Sequence, residues 1–165
     1  MTICDNNIIN RQCYSLLHDS SSSSPSFIAK NPVGSDCPLY LLYDTTHLLK
    51  NFRNNWITQA NQLIDFEPVP GGPKVQGKWS DIIALLNSEK ESVLRLTELS
   101  QTACYPSPLQ RQKVSLVLKV FNEKTVAGLR LQKADATATV VESVLNLWKI
   151  LNVKSPETYI HLNDV

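Results

Sequence analysis

A proline- and glycine-rich segment at residues 67–73, EPVPGGP, divides the sequence into two parts of different character. Proline lacks the backbone donor that helices and strands use, and paired glycines favour turns, so we expect no regular element to cross this segment. Before it, short apolar runs alternate with helical patterns. After it, every apolar pattern has helical spacing. The sequence therefore predicts an α/β part followed by an all-α part, with domains at residues 1–64 and 65–165.

Two strand-then-helix units make up the first part, which predicts a partial mixed sheet. The run at residues 39–43, LYLLY, has no polar alternation and is typical of a strand buried on both faces. Residues 2–4 form the other strand, and the serine run at 20–24 is expected to be a solvated loop. The helical patterns consist of Ile9, Cys13, Leu16 and Leu17 after the first strand, and Leu48, Leu49, Phe52 and Trp56 after the second.

Three helices are predicted in the second part, and no strand. Ser80 is expected to cap the first of them, which extends to Val93, and Ser107 and Pro108 to open the second, which extends to Phe121. The third begins at Asp135 or Thr137 and carries apolar residues as far as Leu151.

Composition excludes several classes of protein. The 165 residues carry 16 Lys and Arg against 15 Asp and Glu, a net charge of +1, which argues against a strongly basic DNA-coating protein. The longest apolar run is too short to cross a bilayer, and the N-terminal residues do not resemble a signal peptide, so we expect an intracellular protein without a membrane partner. The four cysteines form no C-x-x-C pair, which favours reduced thiols over a zinc site.

Two aspartates, Asp5 and Asp44, each follow a predicted strand and are the first candidates for chemistry. Groups at the carboxyl ends of strands converge on one crevice, where acidic oxygens hold the cations of two-metal phosphoryl transfer. An aspartate in this position is also a common turn former or helix cap. In the segment DNNIIN at residues 5–10, a strand end, a carboxylate and two amides able to orient it favour a site.

The segment GPKVQGK at residues 72–78 matches the G-x-x-x-x-G-K part of a phosphate-binding loop and makes Lys74 and Lys78 candidates. Trp79 stands where the loop needs Ser or Thr for Mg²⁺, and Pro73 removes one amide. A glycine-proline linker is therefore the alternative, with a phosphate contact from either lysine beside the N-terminus of the next helix as a further hypothesis.

A basic stripe is expected on the helix after the second strand. His47 and Asn51 are four residues apart and lie on one face, with Lys50 and Arg53 beside them. Such a stripe suits nucleic-acid phosphates, and a solvated helix surface is the alternative.

Four strings together resemble the P-element-like transposases, including the THAP-domain transposases. The most specific is D-x-x-H-L-x-K-x-x-R-N at residues 44–54, and the resemblance extends from Ile3 to about Asp164. The strings are CDNN at 4–7 with NR at 10–11, DTTHLLKN at 44–51 with RNN at 53–55, GKWS at 77–80, and LNVKS at 151–155.

The resemblance implies an RNase H-like catalytic domain interrupted by a helical insertion domain that binds GTP. In the intact family protein, a Mg²⁺-binding D, D, E triad acts on transposon-end DNA in a homo-oligomer in the nucleus. Asp5 matches the second aspartate of the triad better than Asp44, which closes the strand directly before the insertion. Asp5 would then bind metal, Lys74 and Lys78 would contact the GTP phosphates, and Lys50 and Arg53 would lie in a structural or DNA-facing helix.

Some parts of the family pattern have no counterpart in this sequence. The first aspartate and the final glutamate of the triad, and the zinc-bearing N-terminal domain, are missing, so we expect a transposase fragment without catalysis of its own. The insertion domain would be truncated at its end. The alternatives are a stand-alone helical interaction module and a small GTP-binding domain.

Overall fold

The computed structural model describes residues 2–17, 28–31, 33–34 and 37–152, so the serine run at 20–24 and the LNVKS string beyond residue 152 lie outside the described residues. The chain forms two compact units, Met1–Leu48 and Leu49–Val165. The division falls inside a helix, not at the 64/65 boundary that the sequence suggests, because the residues before and after the proline-rich segment share one core. The two parts of the sequence therefore do not correspond to the two structural units.

The first unit contains a three-stranded sheet in the order β1-β3-β2, formed by β1 (Thr2–Cys4), β2 (Ile28–Ala29) and β3 (Leu39–Tyr43). Strands β1 and β3 are parallel, with Cys4 opposite Tyr43, and β2 is antiparallel to β3. Helix α1 (Ile8–Leu17) follows β1. The hydroxyl of its Tyr14 lies 3.0 Å from the carbonyl oxygen of Leu42 and 3.2 Å from that of Thr2, and so joins the helix to both parallel strands.

Strand β3 has the predicted bounds, and its side chains are packed on one face only. Leu41 is buried against Tyr14 and Ala29, whereas Tyr40 and Leu42 are 48% and 40% exposed. Because neighbouring side chains alternate between the faces of a sheet, the pattern means that one face of β3 is packed and the other is open. The unbroken apolar run is typical of a strand buried on both faces, but in a partial sheet we expect its side chains to remain partly exposed, which the exposure of Tyr40 and Leu42 confirms.

The second unit begins within helix α2 (Thr45–Thr58), which is followed by a 3₁₀ turn at Ala60–Gln62 and by an antiparallel hairpin. Strand β4 (Leu63–Phe66) pairs with β5 (Val75–Lys78), with Leu63 opposite Lys78 and Phe66 opposite Val75. The prediction that residues beyond 73 form no strand was wrong. The proline-rich segment is the connection of this hairpin and not a linker between domains.

The remaining helices are α3 (Trp79–Lys90), α4 (Gln101–Cys104), α5 (Val114–Leu118), α6 (Glu123–Leu131) and α7 (Asp135–Leu151), with a 3₁₀ turn at Gln110–Gln112. Helix α7 starts at Asp135 as predicted. Helix α3 starts one residue before Ser80, so Ser80 is not its cap. Val93 lies beyond the end of α3 and is fully exposed, so the prediction that this helix extends to Val93 was also wrong. Helices α4 and α6 were missed, although Asn122 accepts the Thr125 amide as a typical N-cap of α6.

One apolar core holds the second unit together. Three aromatic edge-to-face contacts link its rings, with 5.5 Å between the ring centroids of Trp56 and Trp79, 6.1 Å between those of Phe52 and Trp56, and 5.9 Å between those of Phe52 and Phe121. Helix α7 contributes Ala138, Val140, Val141 and Val144 to this core. This core therefore joins α2, the hairpin and the C-terminal helices.

Candidate active site at the strand ends

Asp5 and Asp44 occupy equivalent positions, each directly after one of two neighbouring parallel strands. Cys4 is opposite Tyr43 in the register, and the backbone N–H of Asp44 donates to the carbonyl oxygen of Cys4 at 2.7 Å. The structure thus brings the two sequence-predicted carboxylates to one edge of the sheet, where ligands of α/β proteins commonly bind.

The carboxylate of Asp44 serves as the N-cap of α2. Its Oδ1 accepts the backbone N–H of Thr46 at 2.7 Å, the hydroxyl of Thr46 at 2.6 Å and the backbone N–H of His47 at 3.3 Å. The hydroxyl of Thr46 is the main cause that lowers the pKa of Asp44, and the two amides and the charge of His47 act in the same direction against partial burial. Asp44 is therefore ionised at neutral pH, with one oxygen committed to the helix.

The carboxylate of Asp5 has a different environment. Its Oδ1 accepts from Nδ2 of Asn10 at 2.6 Å, and the same amide group donates to the backbone oxygen of Asp5 at 3.2 Å. Within the described part of the chain, no donor is bonded to its Oδ2. Asp5 therefore keeps one oriented oxygen available for a cation or a substrate.

Asn10, and not the neighbouring asparagines, orients Asp5. Asn7 caps α1, since its Oδ1 accepts the backbone N–H of Asn10 at 2.8 Å. Oδ1 of Asn6 is buried and has no hydrogen-bond partner in the part of the chain that the structure describes. The spacing of five residues from a strand end into the first turn of a helix is the signal that identifies Asn10.

No group of three or more His, Cys, Asp or Glu suited to a metal occurs among the described residues.

The segment GPKVQGK does not form a phosphate-binding loop. Gly77 and Lys78 lie in strand β5, and the backbone N–H of Lys78 donates to Oγ1 of Thr137 at 3.0 Å. Thr137 in turn donates to Oδ2 of Asp81 at 2.5 Å, which ties the end of β5 to α3 and α7. This amide is already bonded, so it is not free to cradle a phosphate. The side chains of Lys74 and Lys78 are exposed.

Packing explains Gly77. A Cβ atom at this position would lie 2.9 Å from Cζ2 of Trp56, 3.0 Å from Cγ2 of Val140 and 3.1 Å from Cγ2 of Ile64. The glycine therefore allows β5 to approach the core closely. The match to the glycine-lysine motif has a structural cause that sequence spacing does not reveal.

The residues of the predicted basic stripe on α2 differ in burial. Lys50 is half-buried at the helix surface, whereas Arg53 is fully buried. Nη2 of Arg53 donates to the backbone oxygen of Arg111 at 2.9 Å and its Nε to Oδ1 of Asn54 at 3.1 Å. The Arg53 guanidinium is thus covered by its neighbours in this conformation, whereas Lys50 is partly exposed. The helical period that groups Arg53 with Lys50 does not indicate which neighbours cover it.

The fold is similar to that of a solved transposase. A chain of the Drosophila P element transposase strand transfer complex superposes with a TM-score of 0.73 at 20% sequence identity, over 92% of this chain and 34% of that chain. This chain thus spans about a third of the length of that one. No family model and no curated protein matches the sequence. Over the described residues, no helix is long and apolar enough to cross a membrane.

Proposed function

We propose that this chain is part of a P-element-like DNA transposase and acts on transposon-end DNA within a larger protein. The observation that supports the proposal is the agreement of fold with a P element transposase over 92% of the chain. The strings at residues 4–11 and 44–55 also support the proposal, because they contain Asp5 and Asp44, which directly follow strands β1 and β3. In this proposal the intact protein works as a homo-oligomer in the nucleus, and this part of it has no catalytic activity alone.

Asp5 is the proposed metal ligand of this segment, as the second carboxylate of a D, D, E triad. Asp44 is less suited to the role, because its Oδ1 holds the first turn of α2 through three hydrogen bonds. Asp5 has one hydrogen bond to its carboxylate, from a side chain that fixes its orientation. A second-layer amide of this kind is a common support for a metal-binding carboxylate.

The chemistry proposed for the intact protein is an in-line displacement at a phosphodiester. Mg²⁺ would stabilise the attacking and leaving oxygens. This chain would contribute one metal-binding carboxylate and the residues that orient it. Asp5 presents Oδ2 at the end of β1, Asn10 restricts rotation of the carboxylate, and the β1–β3 pairing keeps that position rigid relative to Asp44.

Paramagnetic Mn²⁺ provides a direct test of the Asp5 assignment. We expect Mn²⁺ to broaden the amide signals of residues 4–6 in nuclear magnetic resonance spectra of the whole chain, and Asp5→Asn to remove the effect. Asp44→Asn is the matched control, since it removes one charge at the same sheet edge while asparagine still caps a helix. Broadening is expected to persist in that variant.

Two outcomes would contradict the proposal. If Asp44→Asn abolished the broadening and Asp5→Asn did not, the metal ligand would be Asp44. If neither variant changed the broadening, neither strand-end carboxylate would bind metal in this chain, and the assignment of Asp5 as a metal ligand would fail.

GTP is the second cofactor that we propose for the intact protein, with Lys74 and Lys78 as phosphate contacts. Both side chains are exposed, and Lys78 directly precedes the first turn of α3. A lysine there adds a charge-assisted contact to the favourable field of a helix N-terminus. Calorimetry on the chain should detect weak GTP binding that Lys74→Ala with Lys78→Ala weakens further, whereas the exposed Lys113→Ala does not. No heat at millimolar GTP, or equal binding of ATP, would contradict the GTP assignment and favour a helical interaction module.

A further inference from the structure

Arg53 is a fully buried cation that has no counter-ion among the described residues. Its guanidinium donates to one backbone oxygen and one side-chain amide oxygen, and its Nη1 is buried without any partner among the described residues. The ion pairs of the described chain involve other residues, namely Lys124–Glu98, Arg130–Glu142 and Lys149–Glu123. A charge in this state is costly unless something pairs with it.

A second guanidinium lies beside the first. Arg111 belongs to the 3₁₀ turn Gln110–Gln112, its backbone oxygen accepts from Arg53, and its own Nε is buried without a partner. Burial and then the positive charge of Arg111 lower the pKa of Arg53. Two arginines joined through the backbone oxygen of Arg111 therefore each keep a buried N–H group without a partner among the described residues, and their like charges repel each other unless an anion binds.

We propose that Arg53 and Arg111 form a binding site for a phosphate group. Guanidinium N–H groups suit the oxygens of phosphates and carboxylates. A phosphate monoester carries a charge of about −1.5 to −2 at neutral pH, which balances two arginines, whereas a carboxylate leaves one positive charge unpaired. This site uses neither Asp5 nor Lys78, and it does not depend on the function proposed above.

Access to the site is through Arg111. This residue is partly exposed, whereas Arg53 is not, so the phosphate reaches Arg53 from the side of the 3₁₀ turn. The backbone oxygen of Arg111 and Oδ1 of Asn54 hold the Arg53 guanidinium in place before the ligand arrives. The guanidinium of Arg53 is thus oriented before binding.

Thermal unfolding in inorganic phosphate tests the site. We expect phosphate to raise the Tm of the chain by about 3 °C over sodium chloride of equal ionic strength, since a ligand that binds the folded state stabilises it. Arg111→Gln should abolish the increase, because it removes one cation but leaves the backbone oxygen that holds Arg53. Lys113→Gln removes an exposed cation two residues away and should leave the increase intact.

A second measurement identifies the source of the phosphate. In the unmodified chain, the Nε–Hε signal of Arg111 should shift on titration with inorganic phosphate. A phosphodiester of duplex DNA carries one negative charge, so we expect a duplex to leave this shift unchanged, in accord with a phosphate monoester. A duplex that reverses the shift by competition would contradict the charge balance of the proposal. The proposal is overturned if phosphate stabilises the Arg111→Gln and Lys113→Gln variants equally, or if the Arg111 signal does not move.

Discussion

The carboxylate of Asp44 accepts both the backbone N–H and the hydroxyl of Thr46, at 2.7 and 2.6 Å, and so holds the first turn of α2. Asp44→Ala should therefore lower the free energy of unfolding by about 1 kcal/mol, because the first turn loses its acceptor. Asp44→Asn should cost less, since asparagine retains a capping oxygen. Urea denaturation at pH 7 measures both, and an equal loss in the two variants would contradict the capping role.

The stability that Asp44 provides should depend on pH. Its pKa is lowered in the folded chain, chiefly by the Thr46 hydroxyl. The unfolded chain therefore binds the proton more readily, and the contribution is present above about pH 4 and lost as the pH falls through the lower, folded pKa. The difference in unfolding free energy between the unmodified chain and Asp44→Asn should shrink over that interval. A difference that grows on acidification would have the wrong sign.

Gly77→Ala should destabilise the second unit by about 1–3 kcal/mol, because the added Cβ would lie 2.9 Å from the ring of Trp56. Gln76→Ala is the matched control on the same strand, with an exposed side chain, and should change stability by less than about 0.5 kcal/mol. Thermal unfolding measures both. If Gly77→Ala instead preserved the Tm and reduced only nucleotide binding, the phosphate-loop interpretation of this glycine would be restored.

Lys50 and Arg53 should respond differently to truncation although they lie three residues apart on α2. Arg53→Ala should destabilise the chain by about 2 kcal/mol or more, because it leaves a cavity and removes a donor from the backbone oxygen of Arg111. Lys50→Ala should leave stability within about 0.5 kcal/mol but weaken duplex DNA binding, with the salt dependence of log K reduced by about one.

Denaturation and fluorescence anisotropy over a salt series separate these two effects. DNA affinity that falls only in Arg53→Ala, with unchanged stability, would mean that Arg53 faces the nucleic acid.

Hydrogen exchange should be slower in the second unit than in the first. Three buried apolar residues, Tyr14, Ala29 and Leu41, form the described core of the first unit, against eighteen in the second. Local opening is easier where fewer apolar contacts must be broken. Amides of α7 are therefore expected to exchange last, and those of β3 well before them. If Leu39–Tyr43 exchanged most slowly, the sheet would be more stable than its described core implies.

Local patterns along the sequence were sufficient for β1, α1, β3, α2 and α7, because the two strands are short apolar runs and the three helices have apolar residues at helical spacing. They were insufficient for the hairpin of β4 and β5. Strand β5 has the sequence VQGK, which is weakly apolar and contains a glycine, and its partner is separated from it by the proline-rich segment. Pairing with β4 and contact with Trp56 make it a strand, and neither is visible in a local window.

The sequence by itself determined which residues reach the candidate site, since a strand followed by an aspartate places that side chain at the strand end for Asp5 and Asp44 alike. Tertiary structure decided how each is used. The hydrogen bonds of Asp44 to Thr46 and of Asp5 to Asn10 distinguish a helix cap from an oriented carboxylate. Likewise Lys50 and Arg53 share one helical pattern, and only the packing of Arg111 against α2 buries one of them. Residue type and period specify position along an element, whereas burial and hydrogen-bond partners depend on segments distant in sequence.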